Sequence, residues 1–175
     1  MKTKLFISVL LLCSAFSFAQ TLTGQKIGFV NTDVILEQFS EAIKAQSDLD
    51  AWIAKQTAKR DSMTTELQTE YVGYQQKAET MTKDQLQAAQ QSLVQKEAAI
   101  KEFEQQKFGQ GGEIYQKRNE FFGPIEQKIR NAISEVAKSE GMNFIFDKTD
   151  TLPVLLYTDD TFDITFKVLD KLKRG

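Results

Sequence analysis

The stretch TDVILEQFSEAIKAQSDLDAWI, residues 32–53, opens a helical segment that extends to about Gly141. Its apolar residues recur at Ile35, Phe39, Ala42, Leu49, Ile53, Met63, Leu67, Tyr74, Ala78 and Met81. A second series follows at Leu86, Ala89, Leu93, Ile100, Phe103, Ile114, Phe121, Ile125, Ile129 and Val136. Most steps alternate three and four residues or are multiples of that repeat, the pattern of a coiled-coil seam. Polar residues occupy seam positions at Gln46, Gln56, Arg60, Lys96 and Lys107, so the seam is thin. It suffices for a hairpin of two helices and is too sparse to be the core of a compact domain. At about 1.5 Å per residue, each arm reaches on the order of 75 Å.

Local signals place the ends of the hairpin. Asn31-Thr32-Asp33 supplies N-capping side chains for the first arm. The turn is expected over Thr80–Asp84, with Thr80 or Thr82 capping the return helix. Gly109-Gln110-Gly111-Gly112 puts three glycines in four residues, and Gly123-Pro124 is expected to kink or restart the helix. Gly141 ends it as a C-terminal cap. Glu97–Lys101, Glu113–Lys117 and Glu126–Arg130 are spaced for ion pairs along a solvated helix surface. With a turn near Met81, facing residues have numbers summing to about 163, which sets Trp52 against Gly111. Trp52 is therefore expected to pack across the glycine backbone and mark a bend in the arm.

Short extended segments flank the hairpin. Lys26–Asn31 reads as a strand with Ile27 and Phe29 on one face, and Asn143–Asp147 as a buried strand, apolar on both faces. A further strand is expected over Pro153–Tyr157. Asp159, Asp160 or Asp163 then caps a last helix with the stripe Ile164, Val168, Leu169 and Leu172. The fold class is α+β, mostly α: a long antiparallel coiled-coil hairpin (32–141) inserted in a small β-rich oligomerisation body (20–31 and 142–175). So small a sheet is marginal alone and its edges invite pairing, which closed oligomerisation resolves. Ile27, Phe29, Phe144, Phe146, Leu155 and Tyr157 are the expected interface residues.

The N-terminus has the form of an export signal: Lys2 and Lys4, the apolar run Leu5–Leu12, and Ser17-Phe18-Ala19 with small residues where a signal peptidase reads. Cleavage is expected after Ala19. The run is far short of the roughly 20 residues of a membrane span. A lipoprotein reading would need a small residue before Cys13, where Leu12 stands. Cys13 is the only cysteine, so the mature chain holds no disulfide. Loss of Lys2 and Lys4 leaves 20 basic against 24 acidic residues, a net charge of about −4, with no basic cluster of a nucleic-acid footprint.

The composition removes most catalytic chemistry. There is no histidine, hence no His-based nucleophile arrangement and no His zinc ligand. Carboxylates such as Asp147, Asp150, Asp159 and Asp160 read as turn and capping residues. The glycine cluster lacks the preceding strand and the Lys-Ser/Thr of a phosphate-binding loop. The chain therefore reads as a non-enzyme with no metal and no cofactor.

The order of parts resembles the Skp/OmpH family of periplasmic chaperones. The resemblance rests on the Lys-Ile-Gly-Phe-Val-Asn strand, the Gln/Lys/Glu/Ala-rich hairpin, Lys117-Arg118-Asn119-Glu120-Phe121-Phe122-Gly123-Pro124-Ile125, Asn143-Phe144-Ile145-Phe146-Asp147, and Asp163-Ile164-Thr165 leading into Val168-Leu169. It implies a homotrimer with a β-rich body, whose hairpins surround a cavity that holds unfolded outer-membrane proteins without ATP. Client contacts would be spread over the arms, at Tyr71, Tyr74, Met81 and Phe108, with Tyr71 and Phe108 off the main seam and Met63, Tyr74, Met81 and Phe103 on it. Familiar members are strongly basic and this chain is acidic, so salt should affect client capture only modestly. A coiled-coil spacer or envelope tether with one fixed partner is the alternative reading. The sequence leaves open whether the arms also touch a membrane.

Overall fold

A computed structural model describes residues 24–149 and 155–174. The expected export signal, Cys13, Asp150, Pro153 and Val154 lie outside them. Strand β1 (Ile27–Val30) leads into helix α1 (Thr32–Gln38) and the long helix α2 (Ser40–Lys77). A 3-10 turn, Ala78–Thr80, ends the outgoing arm. The return arm is α3 (Lys83–Phe108) and α4 (Glu113–Ser139), followed by β2 (Phe144–Asp147), a 3-10 turn (Asp160–Phe162) and α5 (Thr165–Arg174).

Capping chemistry sets these boundaries. The Asn31 side chain accepts the Val34 N–H at 3.1 Å, and Asp147 reinforces the same helix start by accepting from the Thr32 N–H at 3.2 Å and hydroxyl at 2.6 Å. At the tip, Thr82 and Gln85 form a reciprocal capping box. Gly141, at φ 67°, terminates α4 in the left-handed region that suits glycine. That reversal lets β2 run parallel to β1, with Ile27 opposite Phe144 and Val30 opposite Asp147.

The outgoing arm is not one helix. Phe39 is extended (φ −85°, ψ 116°) between α1 and α2, and its side chain is buried. No proline or glycine marks this break; the ring turns into the core. Conversely, α4 continues through Gly123-Pro124 without restarting. Phe121, Phe122 and Ile125 pack against the core on either side of the proline and hold that turn.

The interruption of the return arm falls at the glycines. A Cβ on Gly109 would lie 2.5 Å from the Gln105 carbonyl oxygen, and Gly111 has φ 75°, so both positions require glycine. Nothing stands within 4 Å of a Cβ on Gly111, so Trp52 does not fill space there, contrary to the sequence expectation. The half-buried Trp52 ring instead meets Phe108 edge-to-face, with centroids 6.3 Å apart. Facing pairs explain the offset. Tyr74–Gln90 and Arg60–Glu104 sum to 164, while Glu41–Lys128 sums to 169. The return arm thus carries about five extra residues below the tip pairs, and the glycine segment absorbs them.

The core sits where the two arms meet the chain ends. Ile35, Phe39, Ala42 and Ala45 from the outgoing side pack with Ile125, Ile129, Ala132 and Val136 of α4, and Val30, Ile164, Val168 and Leu169 close it. The helical bases of both arms therefore belong to the body. Towards the tip the seam thins: on α3 only Phe103 is buried. Polar rungs take over there. Glu70 receives Lys96 at 2.7 Å and the Ser92 hydroxyl at 2.5 Å, Gln90 donates to the Tyr74 hydroxyl at 2.8 Å, and Arg60 approaches Glu104 at 3.9 Å. Two of the polar seam residues, Arg60 and Lys96, are thus cross-arm partners, and Lys107 spans the glycine break to Glu113. Glu113 is consequently not paired with Lys117, which binds Glu120; Glu97–Lys101 and Glu126–Arg130 form as expected.

Among the described residues the sheet is smaller than the sequence suggested. Leu155–Tyr157 is not a strand, and the third element at the sheet is a single bridge between Phe29 and Asp163. β2 is not buried either: Phe144 and Phe146 are exposed. Asp163 accepts the Thr165 N–H at 2.7 Å and so caps α5, whose stripe of Ile164, Val168 and Leu169 is buried.

Two outcomes follow. Ile35→Ala or Leu169→Ala should each lower unfolding stability by about 2–5 kcal/mol in urea titration, because each leaves a cavity at a fully packed position. Val94→Ala, at an exposed arm position, should change it by no more than about 0.5 kcal/mol. Second, hydrogen bonds from Lys96 and Ser92 hold the Glu70 carboxyl below its usual value, as Lys171 does for Glu135 and Lys167 for Glu140. A lowered folded value gives stability that is present above the usual carboxylate range and lost as pH falls through the folded value. Helicity should therefore melt at lower temperature once the pH is below the usual carboxylate range than at neutral pH, and Lys96→Met should reduce that pH dependence.

Candidate functional site: an apolar groove at the arm base and an uncovered sheet face

A hollow of about 950 Å³ lies between the outgoing helices and α4. Helical spacing builds both walls. On α2, Ile43, Gln46, Asp50 and Ile53 fall on one stripe; on α4, Ile114, Arg118, Phe122 and Glu126 do the same, four residues apart. Ala42 and Leu49 form part of the floor, Phe108 closes the end at the glycine break, and Leu36 and Glu37 of α1 line the end at the body. Ile43 and Tyr115 are each 53% exposed. A second hollow of about 390 Å³ shares Leu36 and Glu126 and continues to Ile145, Phe146 and Asp147. Apolar lining thus extends from the sheet up to the break.

The charges in the groove are unequal. Glu37, Asp50 and Glu126 face one cation, Arg118. Glu126 is bound to Arg130 at 3.4 Å and Asp50 accepts from Gln46 at 2.8 Å. Among the described residues Glu37 and Arg118 take part in no ion pair.

Strand alternation decides the other surface. Val30 and Ile145 face the core, and a Cβ on Gly28 would meet the Met142 sulfur at 2.4 Å. Ile27, Phe29, Phe144 and Phe146 consequently share the opposite face. Phe29 is covered, with the Lys148 ammonium 5.1 Å above its ring, but Ile27, Phe144 and Phe146 are 42–51% exposed. Leu155 is half-buried, whereas Leu156 and Tyr157 protrude almost fully into solvent.

The expected arm residues separate. Tyr71 is exposed, with Val72 beside it and Val94 exposed on α3. Tyr74 and Met81 are half-buried in the seam and turn, and Phe108 lines the groove while pairing with Trp52. Phe108 is thus the one expected arm residue in the groove. Sequence reasoning missed Ile43, Tyr115 and Phe122. All three lie one position off the a/d seam, and this off-register placement was the available signal. Among the described residues no group of His, Cys, Asp and Glu could hold a metal, and no helix is long and apolar enough to cross a membrane.

No curated protein matches the chain. Among solved structures it is similar to one titled a putative outer membrane chaperone (OmpH-like) from Caulobacter crescentus CB15. That match has a TM-score of 0.71 and 16% identity, and covers 86% of this chain and 85% of that one. At this identity the likeness speaks to the fold. The family model described as Outer membrane protein (OmpH-like) matches residues 26–172. With nearly the whole described structure inside that match, the chain belongs to the OmpH-like outer membrane protein family.

Proposed function

We propose that the protein is an ATP-independent holdase chaperone of the periplasm, exported by its cleaved leader, that binds unfolded outer-membrane proteins between helical arms and keeps them from aggregating. The observation that carries this reading is the open apolar groove at the base of long arms whose own seam does not fill it. Family membership and the structural neighbour described as a putative chaperone point the same way. Client contact is spread over Tyr71, Tyr74, Met81 and Phe108, weak contacts that add by avidity when several arms act together. Retention of a client in this way involves no catalytic step, metal or cofactor.

The working form in this reading is a homotrimer. Support comes from the sheet face of Ile27, Phe144 and Phe146, with Leu155 and Tyr157 on the adjacent segment, which needs cover that one chain does not provide.

In sedimentation at micromolar concentration the protein should run as a trimer, and Phe144→Asp or Phe146→Asp should dissociate or unfold it, since an unpaired buried charge costs several kcal/mol. A folded wild-type monomer contradicts the trimer. Diluting a urea-unfolded outer-membrane β-barrel into buffer with the protein, without nucleotide, should suppress light scattering, with only modest dependence on salt. Unchanged scattering together with stable binding to a single envelope partner would favour the tether.

A further inference from the structure

Resting on the holdase reading, we infer that the groove at the arm base is a docking subsite for a short extended apolar segment of an unfolded polypeptide, with a Lys or Arg at the end nearest the body. Dimension, lining and charge carry the inference. From Ile43 to Ile53 the α2 wall rises about 15 Å, the length of four or five extended residues at about 3.3 Å each. A volume of about 950 Å³ is at the upper end of the range for ligand pockets, about 300–1,000 Å³. Apolar side chains line both ends, with Ile43 and the half-buried Phe122 towards the body and Ile53, Ile114 and Tyr115 towards the break, while Gln46, Asp50 and Arg118 lie between them.

Charge sets the direction. Along the groove Asp50 and Arg118 occupy comparable heights on opposite walls, since their numbers sum to 168, close to the 169 of the Glu41–Lys128 rung. Their charges offset each other. At the body end stand Glu37, which has no ion-pair partner among the described residues, and Glu126, already bound to Arg130. One exposed carboxylate is therefore left over at that end, where a complementary cation gains a modest attraction that is largest at low salt. A second chain of the same kind is the competing occupant, and its acidic net charge makes it the poorer match.

Trp52 is the only tryptophan, and its ring contacts Phe108 at the end of the groove, so its emission reports on occupancy. The probes are two fluorescently labelled peptides of five apolar residues ending in two lysines or in two glutamates, titrated into the purified protein. The lysine peptide should change Trp52 emission and bind about tenfold more tightly at low salt, a preference that shrinks as salt screens the charges. Glu37→Gln should remove most of that preference, and Ile43→Ser, at a half-exposed position, should weaken both peptides with the far-UV circular dichroism unchanged. Equal affinity, a preference for the glutamate peptide, or binding by anisotropy with silent Trp52 emission overturns the subsite. A lower sedimentation mass for Ile43→Ser also overturns it, by making the groove a contact between copies. Wild-type protein assayed in parallel separates the two readings. If it suppresses client aggregation without the peptide preference, the subsite alone falls; if it does not suppress aggregation, the holdase reading falls.

Discussion

Everything in this structure depends on the two chain ends being held at one place. The Lys26 N–H donates to the Asn143 side chain at 2.9 Å across 117 residues, and the Asn31 N–H donates to the Thr165 hydroxyl at 2.9 Å across 134. The Ile164 N–H reaches the Phe29 carbonyl at 3.0 Å. Closing a flexible loop of that length costs about 4 kcal/mol in chain entropy. Two four-residue strands would not offset it. The burial of Ile35, Ile164, Val168 and Leu169 against the arm bases does, since each fully buried aliphatic side chain contributes about 1.5–3 kcal/mol. The hairpin also lowers the closure cost. Starting from the Thr82–Gln85 capping box, each rung closes only a short loop before the ends meet.

Stability is consequently distributed in two regimes. The body is held by apolar burial and the arms by polar rungs and helix propensity. Glu70, Lys96, Ser92, Tyr74 and Gln90 align the arms without drying them. Exposed pairs of this kind contribute little each, so the arms are the softer part of the molecule. In the holdase reading, that division leaves the arms free to adapt to a bound chain while the body keeps them in place.

Periodicity in the sequence made the hairpin legible, and side-chain chemistry made its ends legible: Asn31, Thr82, Gly141 and the Ile164–Leu172 stripe act as their residue types suggest. The parts that were not legible depend on tertiary packing. Phe39 breaks a helix with no breaker because its ring is worth more in the core than a continuous helix is. Pro124 fails to break one because its neighbours are pinned. Leu155–Tyr157 reads as a strand by composition, but no described strand lies beside it to pair with. The groove escaped notice because its walls are residues next to the seam, which a reading of the a and d positions passes over; Phe108 was the exception, since it was noted as lying off that seam.

In the holdase reading, a rigid, apolar body carries soft arms, and the arms together with the groove at their base do the binding. Hydrogen exchange with and without an unfolded outer-membrane β-barrel tests it most directly. The account predicts slow exchange at α5 and at the bases of α2 and α4, fast exchange from about residue 60 to residue 100, and added protection on client binding confined to the arms and the groove walls. Uniform protection along the hairpin, or client-induced protection only at the sheet and α5, would contradict it.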